Sequence, residues 1–268
     1  MSYKIIVLDI DGTLTNSKKE ISPATLEGLI DIQSRGYKVV LASGRPTPGI
    51  TPLAKQLKLA DYGSYILAYN GGRIIDCKSN ETIYQKTLPP DCLPTLFSHA
   101  KDAGLGLLTY EDQAIICGTK TNKYMEIESK IVNLPIKEVP NFCEYIDFSV
   151  NKCLMTGEPD EIAAMEEKLK KVFNGYLNIF RSEPFFLEIM PQGIDKAHSL
   201  LKLLNSIGLT SKEMICCGDG FNDISMISIA GLGVAMENAQ DCVKNAADYI
   251  TKSNDDDGVL YVIKKFMS

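Results

Sequence analysis

Two carboxylates one residue apart, Asp9 and Asp11, follow directly on the apolar run Ile5-Ile6-Val7-Leu8, and Gly12 and Thr13 come next. A buried strand that ends in acids gives up core contacts there, so the acids read as chemistry rather than packing. The chemistry that suits them is phosphoryl transfer. With an ordinary pKa of about 3.9 an aspartate is ionised at neutral pH, and Asp9 could attack phosphorus to give an acyl phosphate. A phosphate dianion would repel it unless a hard cation intervened, and Mg²⁺ takes one or two carboxylates together with substrate oxygens. Asp9 and Asp219 are the natural ligands, with the Asp11 carbonyl and a water held by Asp223 behind them. Residues two apart leave a strand on the same side, so Asp11 can reach the ester oxygen or the attacking water as general acid and base. That role needs it protonated for part of the cycle.

Three further fragments are expected in the same place. Ser43-Gly44-Arg45 follows the apolar strand Tyr37–Ala42, Gly218-Asp219-Gly220-Phe221-Asn222-Asp223 follows the strand Met214–Cys217, and Lys196 begins a helix just upstream. In an open parallel sheet, ligands bind outside the carboxyl ends of the strands, where all these fragments stand. Ser43 and the Gly44 amide supply donors, and Lys196 places a positive charge near Asp9 and the phosphoryl oxygens. Gly12 lets the chain turn tightly beside the ligand, and its amide can help to bind the phosphate. Other readings stay open at single positions. Asp9 and Asp11 would also suit an Asx turn, Ser43-Gly44 a helix N-cap, and Lys196 a surface helix. Arg45 serves equally as a loop charge or a substrate contact, and Asn70-Gly71-Gly72 as a glycine turn or a substrate contact. No single acidic turn explains the whole set.

The elements that must hold these residues alternate. The first strand is followed by a helix opened by Ser22-Pro23 and closed by Gly36, with Ser suited to the cap and Pro to the first helical position. The rhythm returns from Asp195, with a helix to Ile207, a helix after Asn222, short strands at Gly233–Ala235 and Tyr249–Thr251, and a closing helix from Gly258. This is the pattern of an α/β protein with a Rossmann-like, doubly wound parallel sheet. Between about Gln85 and Met190 adjacent short strands pair without an intervening helix, which predicts an antiparallel sheet with helices on one face. We expect a core of residues 1–84 and 191–268, and an inserted α/β (α+β) domain of residues 85–190 joined by two hinges. The run Asp255-Asp256-Asp257 reads as a solvated loop and N-cap.

Bulk composition bounds the partners. The 268 residues carry a net charge of −6 and are 45% apolar. Without a basic block the chain is not expected to bind nucleic acid, and a small soluble ligand is expected instead. No run approaches the ~20 apolar residues of a membrane span, and no secretory segment is read at the N-terminus, so the expected location is cytoplasmic. The eight cysteines form no Cys-x-x-Cys pair and read as buried small hydrophobes in a reducing compartment. Gly218-x-Gly220 is half of a dinucleotide fingerprint, but Asp223 replaces the third glycine, and nucleotide readings are rejected. His99 and His198 lack ligand spacing.

At Asp9-Ile10-Asp11-Gly12-Thr13-Leu14, Leu41-Ala42-Ser43-Gly44-Arg45-Pro46, Lys196 and Gly218-Asp219-Gly220-Phe221-Asn222-Asp223 the chain resembles the four motifs of the haloacid dehalogenase superfamily. Within it, the Cof-type sugar-phosphatase-like hydrolases are the nearest pattern. The resemblance implies that Asp9 is nucleophile and Mg²⁺ ligand, and that Asp11 is acid/base and a ligand through its carbonyl. It also implies phosphate binding by Ser43 and Lys196, metal binding by Asp219 and Asp223, and Asn222 near the phosphate. The inserted domain would be a cap that closes over the core. The implied function is Mg²⁺-dependent hydrolysis of small phosphorylated metabolites. A sugar phosphomutase and a non-catalytic phosphometabolite sensor are the alternatives, and the intact Asp11 argues against the sensor.

Overall fold

The run Ile5–Leu8 forms a strand with all four side chains buried, as a strand covered on both faces of its sheet requires. In the computed structural model, which describes residues 3–267, it lies inside an eight-stranded sheet. The order is Tyr249–Ile250, Leu232–Ala235, Met214–Gly218, Ile5–Leu8, Lys38–Ala42, Tyr65–Ala68, Arg73–Asp76 and Thr82–Gln85. Ile5–Leu8 pairs in parallel with Met214–Gly218 on one side and Lys38–Ala42 on the other. Three carboxyl ends that carry polar fragments are therefore neighbours. Arg73–Asp76 pairs antiparallel with Tyr65–Ala68, and Thr82–Gln85 lies beyond it at the edge, an addition absent from the expected all-parallel core; its glycine-punctuated approach hid it.

Local signals act as expected in the helices that flank the site. Ser22 accepts a hydrogen bond from the Thr25 amide at 3.1 Å and starts the helix Pro23–Ser34. Asp195 likewise accepts from the His198 amide at 2.8 Å, which makes Lys196 the first residue of the helix Lys196–Ser206. The helix Thr47–Gln56 was not legible, because Pro48 and Pro52 break its signal.

The chain divides into two compact units, one of Met1–Arg45, Ile50–Tyr84 and Asp195–Ser268, the other of Pro46–Gly49 and Gln85–Ile194. The second holds six strands in the order Leu177–Glu183, Phe186–Pro191, Cys153–Thr156, Gly106–Tyr110, Ile115–Cys117 and Ile136–Glu138. All neighbours pair antiparallel except the last, which is parallel. Leu107, Ile116, Met155 and Leu187 join a core with the helices Cys92–Asp102 and Pro159–Phe173. Side chains alternate across a strand, so Tyr110 and Cys117 point the other way. There the helix Lys123–Val132 meets them, with Glu128 accepting from the Tyr110 hydroxyl at 2.6 Å and the Cys117 thiol 3.3 Å from the Met125 sulfur. Helices thus cover both faces, not one. The amphipathic pattern of that helix gave no sign of which face it takes.

The acidic run has partners that lie far away in the chain. Asp255 accepts from the Ser17 amide and hydroxyl at 2.8 and 2.6 Å, and Asp257 accepts from the hydroxyls of Ser22 and Thr25. Asp257 occupies the N-cap position of Gly258–Phe266 in a left-handed conformation, with no capping bond from its side chain. Asp255 and Asp256 are exposed and Asp257 stands at the N-cap, as the sequence suggests, and the run also fastens the segment after the first strand. The eight cysteines are free thiols, and among the described residues no helix is long and apolar enough to cross a membrane.

Asp257→Ala removes the acceptor of two hydroxyls and leaves alanine in the left-handed region, which it adopts less readily than aspartate. It is expected to cost about 1–3 kcal/mol in urea denaturation. Asp257→Asn keeps an acceptor and should lose less than half as much.

Candidate active site

Asp9 and Asp11 stand at the end of Ile5–Leu8, and a cavity of about 210 Å³ opens there. Asp9, Asp11, Ser43, Gly44, Arg45, Asp219, Gly220, Asn222 and Asp223 line it. Fragments more than 200 positions apart in the chain, such as those of Thr13 and Asp219, meet because their strands are adjacent.

Beneath the cavity lies Lys196, with no exposed surface. Its ammonium donates to Asp9 Oδ1 and to Asp223 Oδ1, both at 2.6 Å. Burial works against its charge, but Asp223 and Asp9 outweigh that and hold its pKa above the ordinary lysine value. One ammonium cannot neutralise both acids. Burial, and then the charge of Asp223, push the Asp9 carboxyl up against the pull of Lys196. Asp219 is raised to about 6, again by burial first, with Thr13 pulling down and Asp223 pushing up. Thr13 Oγ1 donates to Asp219 Oδ1 at 2.7 Å. Asp223 is fully buried, and its Oδ2 accepts from the amides of Asp219 and Gly220 at 2.9 Å each.

Carboxylate oxygens of Asp9, Asp219 and Asp223 come within 4.8 Å of one another. All-oxygen donors of net negative charge suit a hard divalent cation, so the residues present fit the Mg²⁺ that the resemblance implies. Gly12 takes φ +80°, and a β-carbon there would stand 2.4 Å from Asp219 Oδ2. The position admits only glycine at this approach.

Asp11 has different company. Arg45 Nε donates to its Oδ2 at 2.8 Å and Arg45 Nη2 to its Oδ1 at 2.7 Å, while Lys19 Nζ reaches Oδ1 at 2.8 Å. Partial burial favours the neutral acid, but Arg45 and then Lys19 win and hold the carboxyl below the usual aspartate range. Arg45, read from sequence as a loop charge or a substrate contact, is thus a partner of Asp11. Lys19 was not foreseen. It lies in a turn closed by Asn16, with φ +62°, and only a left-handed residue there could have signalled it. Asn238 donates its side-chain amide to the Gly12 carbonyl at 2.8 Å.

Asn70 and Gly71 do not line the cavity. Asn70 Oδ1 accepts from Asn222 Nδ2 at 3.0 Å, beside the lining, and the Gly71 carbonyl accepts from the buried Ser199 hydroxyl at 2.7 Å.

Comparison with known proteins gives one consistent answer. The family model described as haloacid dehalogenase-like hydrolase matches residues 6–263. A 5-amino-6-(5-phospho-D-ribitylamino)uracil phosphatase of Bacillus subtilis is 32% identical over 268 residues, covering 100% of this chain and 97% of its own. Among solved structures, a haloacid dehalogenase-like hydrolase from Bacteroides thetaiotaomicron is similar at 49% identity and TM-score 0.96, over 98% of this chain and 99% of that one. A subclass IIB sugar phosphatase is similar at 27% identity and TM-score 0.81, over 98% and 99%.

Replacing the buried ammonium tests the electrostatics directly. In metal-free buffer Lys196→Met leaves Asp9 and Asp223 facing each other unpaired, and unfolding is expected to cost about 3–5 kcal/mol less at pH 8. Asp9, already held above its unfolded value by burial and by Asp223, then loses the downward pull of Lys196, so its contribution to stability is lost as pH rises. The gap from wild type should therefore shrink at pH 5, read from urea midpoints.

Proposed function

The chain belongs to the haloacid dehalogenase-like hydrolases and is a phosphatase, and from that premise we propose that it hydrolyses small phosphorylated metabolites, sugar phosphates or similar esters, through an aspartyl phosphate on Asp9. One observation carries the reading: the buried Asp9 carboxylate, paired with Lys196, faces a cavity that also holds Asp219, Ser43 and Asn222.

In this reading Asp9 attacks phosphorus, the bond to the leaving oxygen breaks, and Asp11 gives that oxygen a proton. Water then attacks the acyl phosphate, Asp11 takes its proton, and Asp9 is freed. Lys196, Ser43 and the Gly44 and Gly12 amides bind the phosphoryl oxygens, where each preorganised donor is worth about 10²–10³ in rate. Asp9 and Asp219 would hold Mg²⁺, with the Asp11 carbonyl, and Asp223 would brace the set through its two amide bonds and Lys196. When bound, that ion offsets the charge between Asp9 and the phosphate dianion. Because Asp11 starts ionised between two cations, an incoming phosphate must draw Arg45 or Lys19 away before Asp11 can hold a proton. The inserted unit, residues 85–190, we read as a cap that excludes water and selects the leaving group.

Asp9→Asn should abolish Mg²⁺-dependent phosphate release from a panel of sugar phosphates, a loss of at least about 10³-fold. If the variant turned over as wild type does, the nucleophile would lie elsewhere. A bisphosphorylated sugar should give net inorganic phosphate, whereas an isomeric sugar phosphate without release would indicate the mutase.

The acids also set a pH dependence. Asp219, and Asp9 with it, have folded pKa values above the unfolded aspartate value, so their contribution is full below about pH 4. It is lost as pH rises past the value of about 6 at Asp219. In EDTA the melting temperature is expected to fall across that window, and in Mg²⁺ the protection should be larger at pH 8 than at pH 5. Equal protection at both would place the ion at another site.

A further inference from the structure

The turn after the strand Tyr65–Ala68 holds three consecutive residues in the left-handed region: Tyr69 at φ +54°, Asn70 at +53° and Gly71 at +102°. A bulky residue there is rare, and adjacent left-handed residues persist only where the surroundings hold them. The surroundings here are the loops of the cavity. The Tyr69 amide donates to the Arg45 carbonyl at 3.0 Å and the Asn70 amide to the Ser43 carbonyl at 2.9 Å, which fastens the phosphate-binding loop. The Gly71 carbonyl accepts from Ser199, one turn along the helix that begins with Lys196. A β-carbon at Gly71 would stand 2.6 Å from Ser199 Oγ and 2.7 Å from the Asp195 carbonyl.

The Asn70 side chain closes the remaining gap. Its amide packs where a β-carbon on Gly44 would stand 3.1 Å away, and its Oδ1 accepts from Asn222 Nδ2 at 3.0 Å. An amide group carries two N–H donors. Spending one on Asn70 sets the plane of Asn222 and so the direction of the other. Resting on the phosphatase reading, we propose that Asn70 is a positioning residue for the phosphate cradle: the strained turn delivers its amide between Gly44 and Asn222 and aims the Asn222 donor at the phosphoryl group. Asn70 touches no reacting atom and acts through Asn222. This explains why the turn keeps asparagine at a left-handed position where glycine would cost less.

The same comparison gives the test. Asn70→Gly keeps the backbone and removes only the amide, so the protein should fold with an unchanged or slightly higher melting temperature. It is expected to raise KM for the best sugar phosphate of the panel, and the inhibition constant of inorganic phosphate, by about tenfold, with kcat within about threefold. That split marks binding shared by ground and transition states. Because Asn70 acts through Asn222, the loss should nearly vanish in an Asn222→Ala background. Titration of inorganic phosphate by calorimetry with Mg²⁺ reads the same weakening without turnover. It thus separates failure of this inference from failure of the phosphatase reading, which the Asp9→Asn comparison decides. Phosphate affinity and KM of Asn70→Gly equal to wild type would reduce the turn to a backbone device. A loss that persisted in full without Asn222 would also overturn the proposal.

Discussion

A single ammonium shared by two carboxylates, out of reach of water, is the interaction on which the rest of the site depends. Lys196 is the first residue of its helix, where the backbone dipole favours anions and a cation is the wrong charge. It is stable there only because Asp9 and Asp223 each take a hydrogen bond of 2.6 Å from it. In turn those acids are tolerable in the interior only because Lys196 lies between them, and Asp223 further because two amides fill its second oxygen. The apolar strands Ile5–Leu8 and Met214–Gly218 keep the pocket floor dry. In such surroundings these charges interact far more strongly than on a surface.

How much of this could be read in the sequence follows from what each feature depends on. Asp9, Ser43, Asp219 and Asn222 were legible because each follows an apolar run, and strand adjacency in a parallel sheet brings carboxyl ends together whatever the loops do. The partners of Asp11 were not. Whether Arg45 turns toward Asp11 or toward solvent is set by side-chain rotamers, and the arrival of Lys19 depends on a left-handed residue in a turn that has no glycine to mark it. The strand Ile136–Glu138 escaped notice because three residues carry no period. Buried charge also misleads a reading by pattern. Lys152 is buried with Glu188 at 2.9 Å and lies over the ring of Tyr110, on the sheet face opposite the apolar core of its unit. The run Asp255-Asp256-Asp257 is largely exposed as its sequence suggests, but its partners, Ser17, Ser22 and Thr25, could not be read because they stand more than 230 positions away.

The two opening acids are tuned in the sense opposite to their proposed roles. A nucleophile must be ionised, yet burial and Asp223 raise Asp9; a general acid must hold a proton, yet Arg45 and Lys19 lower Asp11. Each mismatch is a charge imbalance of one sign. Asp9 lies among too many anions, and Asp11 between too many cations. The correction for the first is positive charge placed among Asp9, Asp219 and Asp223, the arrangement whose oxygens already converge. The correction for the second is negative charge that competes for Arg45 and Lys19, which a phosphate dianion at the Ser43 loop supplies. On the phosphatase reading, a cation among the three acids and a phosphate at the Ser43 loop would each move its carboxyl toward the protonation state that the proposed role needs, so the two opposite charges of the bound ligands complement the two opposite imbalances of the site.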